Sequence, residues 1–126
     1  MRRKSGFSLV ETMVAVALLA VIVVSILSAF SAATIATTRH QQLTKLDTLT
    51  RSDAEFIKSQ AYSTTGTYTN IASAGYSFAY QVLNYDPGPP VTFLTTNPDS
   101  GLQEIVLTVS GPNSSSQQLD FMKVQP

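Results

Sequence analysis

The chain has 126 residues, of which 44% are hydrophobic and only 13% are charged, about half the charged share of an average soluble protein. Its charges are unevenly distributed, because 27 consecutive residues between Glu11 and Arg39 carry none, whereas the rest of the chain is polar and rich in serine and threonine. This distribution excludes a simple soluble domain, a charged disordered tail and a multi-pass membrane protein, and the absence of cysteine excludes disulfides and cysteine-ligated metals.

Arg2, Arg3 and Lys4 place three of the eight basic residues at the N-terminus, shortly before the uncharged segment. Without them the chain has five basic and eight acidic side chains, a net charge of −3. Basic residues beside an apolar segment remain on the cytoplasmic side of a membrane, so we expect the C-terminal part to face outward. The remaining chain has no basic stripe, and nucleic-acid binding is not predicted.

Residues 7–30 form an apolar segment, FSLVETMVAVALLAVIVVSILSAF, which would measure roughly 36 Å as a helix. That length crosses the hydrocarbon core of a bilayer, and a helix that is apolar on every face rarely belongs to the core of a small domain. The sequence therefore predicts one transmembrane helix. Glu11 is anomalous in this segment, because an acidic side chain within the membrane needs a cationic partner, a proton or access to water at the interface.

The residues around Glu11 form a specific pattern. The sequence GFSLVET at residues 6–12, preceded by the basic residues, resembles the class III signal of type IV pilins and of the pseudopilins of type II secretion. In that family a short basic leader ends in glycine, and an aromatic residue, a serine or threonine, two aliphatic residues and a glutamate follow.

This resemblance implies roles for three residues. Gly6 would be the last residue of a leader, residues 1–6, that prepilin peptidase removes, and Phe7 would become the N-methylated N-terminus. Glu11 would pair with the N-terminal amine of a neighbouring subunit during filament assembly. The implied partners are prepilin peptidase, other pilin subunits in a homo- or heteropolymer, membrane lipid and the pilus assembly platform. The implied location is a single-pass cytoplasmic (inner) membrane protein with a cytoplasmic N-terminus, and then an extracellular or periplasmic filament.

A secretory signal peptide is the competing interpretation of the apolar segment. Small residues at alternate positions in residues 29–33 match the cleavage pattern of such peptides. However, the apolar run is longer than the ~7–15 residues that a signal peptide needs, and Glu11 interrupts its start. The two interpretations predict different mature N-termini, Phe7 for the pilin-like signal and a residue within 32–34 for the secretory signal.

Residues 31–61 are predicted to continue the helix beyond the membrane. No glycine or proline lies between Gly6 and Gly66, and these two residue types are the usual helix stops. The alanine- and threonine-rich residues 32–38 are the expected weak point of this helix. Beyond them the helix becomes amphipathic, with an apolar stripe made of Leu43, Leu46, Leu49, Phe56 and Ile57.

Residues 62–126 are predicted to form a small head with a β-sheet. Strand-like runs occur at residues 76–82, 91–95, 102–109 and 119–124, separated by turns rich in proline, glycine and asparagine. Alternation places Phe78, Tyr80 and Val82 on one face, and we expect Ile105 and Leu107 to face the helix together with Val109. The predicted fold class is α+β, with the long helix packed on an antiparallel sheet of three or four strands.

No residue pattern predicts catalysis. His40 is the only histidine, and Asp47 and Asp53 are six residues apart on the helix and do not share a face. No catalytic, metal-ligating or cofactor-binding residue is therefore expected, and no cofactor.

The predicted function is structural, as a subunit of a type IV pilus or a related filament. Major pilins of this family often carry glycine and proline in the membrane half of the helix, and their absence here favours a minor pilin. A pseudopilin of a type II secretion system is an alternative. A single-pass anchored binding module with tyrosine-rich loops, which does not polymerise, is the alternative from another functional class.

Overall fold

A computed structural model describes residues 6–126 and shows one long helix followed by a four-stranded antiparallel sheet. The basic leader residues Arg2, Arg3 and Lys4 lie outside the described residues. The elements are α1 (Leu9–Ser59), β1 (Ser77–Asp86), β2 (Thr92–Leu94), β3 (Leu102–Ser110), a short 3₁₀ turn (Pro112–Ser114) and β4 (Ser116–Val124). The predicted α+β class is confirmed. The chain divides into two compact units, which we call the stem, up to His40, and the head, from Gln41 onward.

Helix α1 is continuous over 51 residues, which corresponds to about 76 Å. The expected weak point at residues 32–38 does not interrupt it. Serine and threonine side chains along the helix donate to the carbonyl four residues earlier, as Ser25 does to Val21 at 2.7 Å and Thr37 to Ala33 at 2.9 Å. These hydroxyl groups are therefore hydrogen-bonded to carbonyl groups of the same helix.

The sheet has the strand order β2-β1-β3-β4, and all its neighbours are antiparallel. Strand β3 lies in the centre and pairs with β1 on one side and, along its whole length, with β4 on the other. Strand β4 begins at Ser116, three residues earlier than the sequence predicts. Its polar start is held in place because the Gln117 side-chain amide donates to Asp47 on α1 at 2.8 Å.

The core of the head forms between one face of the sheet and the last four turns of α1. Ile105, Leu107 and Val109 are fully buried, as predicted, and Phe78, Tyr80 and Val82 pack against the same cluster. The remaining members are Leu46, Ala54 and Ile57 from α1, Tyr68 from the loop after α1, and Phe121 from β4.

The predicted apolar stripe of α1 is only partly correct. Leu46 and Ile57 are buried, but Leu43 and Phe56 are 56% and 41% exposed. Leu43 lies one turn before the first buried residue of the helix, and Phe56 lies outside the buried face. The buried face instead includes Thr50 and Asp53, two polar residues that hydrophobic periodicity does not select.

Asp53 is a fully buried carboxylic acid in the middle of this face. Its Oδ1 accepts a hydrogen bond from the backbone N–H of Ile71 at 2.7 Å, whereas its Oδ2 has no partner among the described residues. Burial raises the pKa of Asp53, and the hydrogen bond from Ile71 offsets this only in part. The contact attaches the irregular segment between α1 and β1 to the helix.

Lys123 is also buried, and it closes the end of α1. Its Nζ donates to the carbonyls of Ile57, Lys58 and Gln60 at 2.9, 3.0 and 2.6 Å, and it lies 5.2 Å from the centre of the Tyr68 ring. A cation is favourable at a helix C-terminus, where carbonyl groups lack partners. Lys123 is only 7% exposed, and this desolvation lowers its pKa.

Hydrogen bonds between side chains hold the loop after α1 against the sheet. The Tyr68 hydroxyl donates to Gln103 Oε1 at 2.8 Å, and Gln103 Nε2 donates to the carbonyl of Ser63 at 3.0 Å. The Tyr62 hydroxyl donates to Asp99. Desolvation is the main cause of a strongly raised pKa of Tyr62, and this hydrogen bond is the second cause. The loop is thus fixed at several points although it has no regular secondary structure.

Truncation of the two helix residues at the centre of the core should destabilise the head. We expect Leu46→Ala and Ile57→Ala each to lower the free energy of unfolding by about 2–5 kcal/mol, because both side chains are completely buried. Urea unfolding of the full chain in detergent micelles measures this, followed by the fluorescence of its five tyrosines, all within the head. The control Leu43→Ala should change the stability by less than about 1 kcal/mol. Near-neutral effects at both buried positions would contradict the observed helix face.

Asp53 should make the head more stable in acid. Because the folded-state pKa is raised above the ordinary value of 3.8, the folded state retains a proton that the unfolded chain loses. The contribution of Asp53 to stability is therefore complete below pH 3.8 and is lost as the pH rises through the folded-state pKa. We expect Asp53→Asn, which can still accept from Ile71, to gain stability relative to the wild type as the pH is raised from acid to neutral. A difference in urea midpoint that does not depend on pH would contradict this.

Candidate processing and assembly site

The predicted cleavage junction between Gly6 and Phe7 lies just before α1, in backbone that is not helical. The Phe7 side chain is 86% exposed. A Cβ atom added to Gly6 would meet nothing within 4 Å, so no packing contact within the described chain requires glycine at this position. Any requirement for glycine here must therefore come from a molecule that binds the junction.

Ser8 sets the start of α1. The backbone N–H of Glu11 donates to Ser8 Oγ at 3.2 Å, and the N–H of Thr12 donates to the Ser8 carbonyl at 3.1 Å. This is the arrangement of an N-cap, in which a side-chain oxygen accepts from one of the N–H groups that have no partner in the helix. Serine followed three residues later by glutamate is a capping signal, and this spacing could have identified Ser8 as the N-cap from the sequence.

Glu11 lies in the first turn of α1 and is exposed. A negative charge is favourable at this end of a helix, because the N-terminus carries a partial positive charge. Among residues 6–126, no side chain or backbone group contacts the Glu11 carboxylate by a hydrogen bond or an ion pair. Within residues 6–126, Glu11 therefore presents a carboxylate that no cation neutralises, in an otherwise apolar segment.

The apolar residues that follow Glu11 are also without cover. Every residue from 6 to 41 is exposed, including the large side chains of the apolar segment. The helix is long and apolar enough to cross a membrane. A shallow apolar groove runs along one of its faces, lined by Leu9, Thr12, Met13, Val16, Ala17 and Ala20. The stem thus offers an apolar surface with a defined shape to lipid or to another helix.

The described residues do not form a cluster suited to a metal ion. No group of three or more histidine, cysteine, aspartate or glutamate side chains comes together in the part of the chain that the structure describes. Asp99 accepts hydrogen bonds from Tyr62 and from the Gly101 backbone, and Asp86 accepts one from the Gly88 backbone. These two carboxylates stabilise turns of the head.

Comparison with known proteins supports the identification of the signal motif at the N-terminus. The family model of the prokaryotic N-terminal methylation motif matches residues 1–27, which include the junction, Glu11 and about two-thirds of the stem. Comparisons with curated proteins and with solved structures gave no match. The motif family is structural, and its signal implies processing by prepilin peptidase and assembly with other pilins. Residues 1–27 therefore carry the prokaryotic N-terminal methylation motif, the class III signal of type IV pilins, at the start of a long apolar helix, and in this part the chain is similar to the precursors of pilins and pseudopilins.

Proposed function

We propose that this chain is a structural subunit of a type IV pilus or a related pilus-like filament, and not an enzyme. The observation that carries the proposal is the methylation motif at the start of a helix whose apolar surface is exposed throughout the stem. Lipid can cover that surface before assembly, and the helices of other subunits can cover it afterwards. In a filament whose core is built from such helices, the apolar surface of each subunit is covered, as it is in lipid before assembly.

Prepilin peptidase is the proposed processing enzyme, with cleavage between Gly6 and Phe7 and methylation of the new Phe7 amine. Two observations support this junction. It lies in exposed backbone before the first helical turn, and glycine is not required there by any contact in the described chain. A residue without a Cβ atom allows the backbone to enter a narrow cleft, which explains why an enzyme would require glycine. The basic leader is expected to hold this junction at the cytoplasmic face.

Glu11 is the proposed assembly residue, which pairs with the Phe7 amine of a neighbouring subunit. Its carboxylate has no partner among the described residues, and an unpaired charge is costly where apolar helices exclude water. Only certain positions of one helix along another bring an amine to Glu11. The pairing therefore selects the axial offset between subunits, while the apolar side chains supply most of the contact area.

The proposed organisation follows from these roles. Residues 1–6 are the leader, and residues 7–30 form the transmembrane and filament-core helix. Residues 31–61 form its amphipathic continuation, and residues 62–126 form the C-terminal β-sheet with its loops. The uninterrupted helix supports this organisation and argues against a secretory signal peptide, because its cleavage pattern at residues 29–33 would lie inside α1. Proteases bind extended backbone, which these helical residues do not offer.

A minor pilin is the form of this function that we favour. The helix lacks the glycine and proline residues that allow the membrane half of many major pilins to unwind, and α1 is continuous from Leu9 to Ser59. A pseudopilin of a type II secretion system would share these features. Neighbouring genes distinguish the two, since a retraction ATPase accompanies a retractable pilus, whereas a secretin with secretion-pathway proteins accompanies a pseudopilus.

Substitution of Gly6 tests the processing step. We expect Gly6→Ala to slow cleavage by about ten- to hundredfold, because the added methyl group displaces the scissile bond within the peptidase. Mass spectrometry of the N-terminus on membrane-bound protein should then find residues 1–6 retained, whereas the wild type begins at methylated Phe7. The neighbouring substitution Ser5→Ala is the control and should be processed normally. A wild-type protein that functions with Met1 to Gly6 still attached would refute the proposal.

Substitution of Glu11 tests the assembly step separately. We expect Glu11→Ala to be cleaved at Gly6 but to reduce the amount of protein in sheared filaments by about tenfold or more, because the N-terminal amine of the adjacent subunit loses its partner. The matched control Val10→Ala removes apolar surface without a charge and should assemble. Normal filament yield from the Glu11→Ala chain would show that Glu11 does not pair during assembly.

A further inference from the structure

The outward face of the sheet, which points away from the core of the head, carries an apolar patch at one end. Alternation along β3 buries Gln103, Ile105, Leu107 and Val109 and directs the residues between them outward. We define the outer patch by seven residues whose strands and registers bring them together on this outward face: Leu83, Tyr85, Phe93, Leu102, Val106, Met122 and Val124. Met122 and Val124 are 50% and 64% exposed. At the other end of the same face the outward side chains are small or polar.

Glu104 lies in the centre of this patch. In the sheet register its direct neighbours are Leu83 on β1 and Met122 on β4, and Leu102 and Val106 flank it along β3. Residues directly opposite one another on antiparallel strands have Cβ atoms about 4.5–5.5 Å apart. Leu102 and Val106 lie on the same face of β3, so the two residues opposite Glu104 and the two that flank it are all apolar. Glu104 is half-buried. No hydrogen bond or ion pair to it occurs among the described residues.

The charges of the outward face indicate what would cover it. Its strand residues include two carboxylates, Glu104 and Asp120, and no lysine or arginine. Two copies that met through this face would therefore bring like charges together in an apolar contact, which is unfavourable. The basic side chains of the head already have partners within it: Lys45 contacts Tyr76, Arg51 contacts Asp47, Lys58 contacts Phe121, and Lys123 closes α1.

We propose that the outer patch docks a different polypeptide, whose contact surface presents one arginine or lysine surrounded by apolar side chains. The cation pairs with Glu104, and the apolar ring excludes water from the pair. This is the arrangement of an interface in which a central residue carries much of the binding energy. This identification rests on the function proposed above: in a filament, the docked polypeptide is a subunit of a different sequence.

The strand register allows a site-specific test on the full chain in the cells that make it. A photo-crosslinking amino acid is placed at Met122, beside Glu104, and in a separate variant at Thr108, which lies on the same outward face at its polar end. We expect an adduct with another polypeptide from position 122 and none from position 108. Mass spectrometry of the adduct identifies the partner and the segment that carries its cation.

Charge substitutions decide whether Glu104 acts as proposed. We expect Glu104→Arg to reduce the adduct by about tenfold or more and Glu104→Gln to reduce it less, since glutamine can still accept a hydrogen bond. Replacement of the partner's cation by glutamate should restore the adduct with Glu104→Arg. The far-face control Glu55→Arg, on the exposed side of α1, should leave it unchanged.

The proposal would be overturned by an adduct of equal yield in the Glu104→Arg chain, by an adduct that contains only a second copy of this chain, or by the absence of any adduct at position 122. Aggregation of Glu104→Val without any loss of an adduct would likewise show that Glu104 only protects the sheet from nonspecific contact.

The filament content and the mass of the N-terminus are measured in the same cells. Normal filaments that begin at Phe7 without the adduct reject the docking site alone, whereas retention of Met1 to Gly6 rejects the filament function.

Discussion

The structure depends on one constraint, which is that nothing in residues 6–126 covers the apolar helix of the stem. In the head, apolar side chains are buried between sheet and helix, but no residue from 6 to 41 is buried. Water is a poor solvent for such a surface, so the stem requires lipid or other apolar helices. Because lipid and neighbouring helices offer similarly apolar surroundings, transfer from one to the other is governed by shape and by the few polar groups present.

Glu11 is the one charged residue of the apolar segment at residues 7–30, and its local setting is more ordered than the motif alone suggests. Ser8 caps the helix through the backbone N–H of Glu11, so the motif residues that match the signal also define where the helix begins. The Glu11 backbone is therefore fixed while its carboxylate remains available. A charge on a rigid helical turn can distinguish between positions of a neighbour more sharply than a charge on a flexible terminus.

The sequence predicted the architecture of this protein better than the polar interior of its head. Alternation identified the buried residues Ile105, Leu107 and Val109, and the lack of glycine and proline predicted the unbroken helix. Asp53 and Lys123 could not be found in this way, because hydrophobic periodicity assigns charged residues to the surface. Their burial depends on partners distant in sequence, the Ile71 backbone for Asp53 and the carbonyls at the end of α1 for Lys123. Glu104 was equally inaccessible to sequence analysis, since its apolar ring arises only from the register of three strands.

The contact between Lys123 and the end of α1 has a consequence for the order in which the protein matures. The carbonyls of Ile57, Lys58 and Gln60 receive their donor from a residue more than sixty positions later in the chain. While the ribosome is still making β1 to β3, the last turn of the helix has no such donor and the central strand lacks one neighbour. The apolar segment leaves the ribosome long before that, so a nascent chain that stalls before β4 carries a complete apolar helix and an unfinished head.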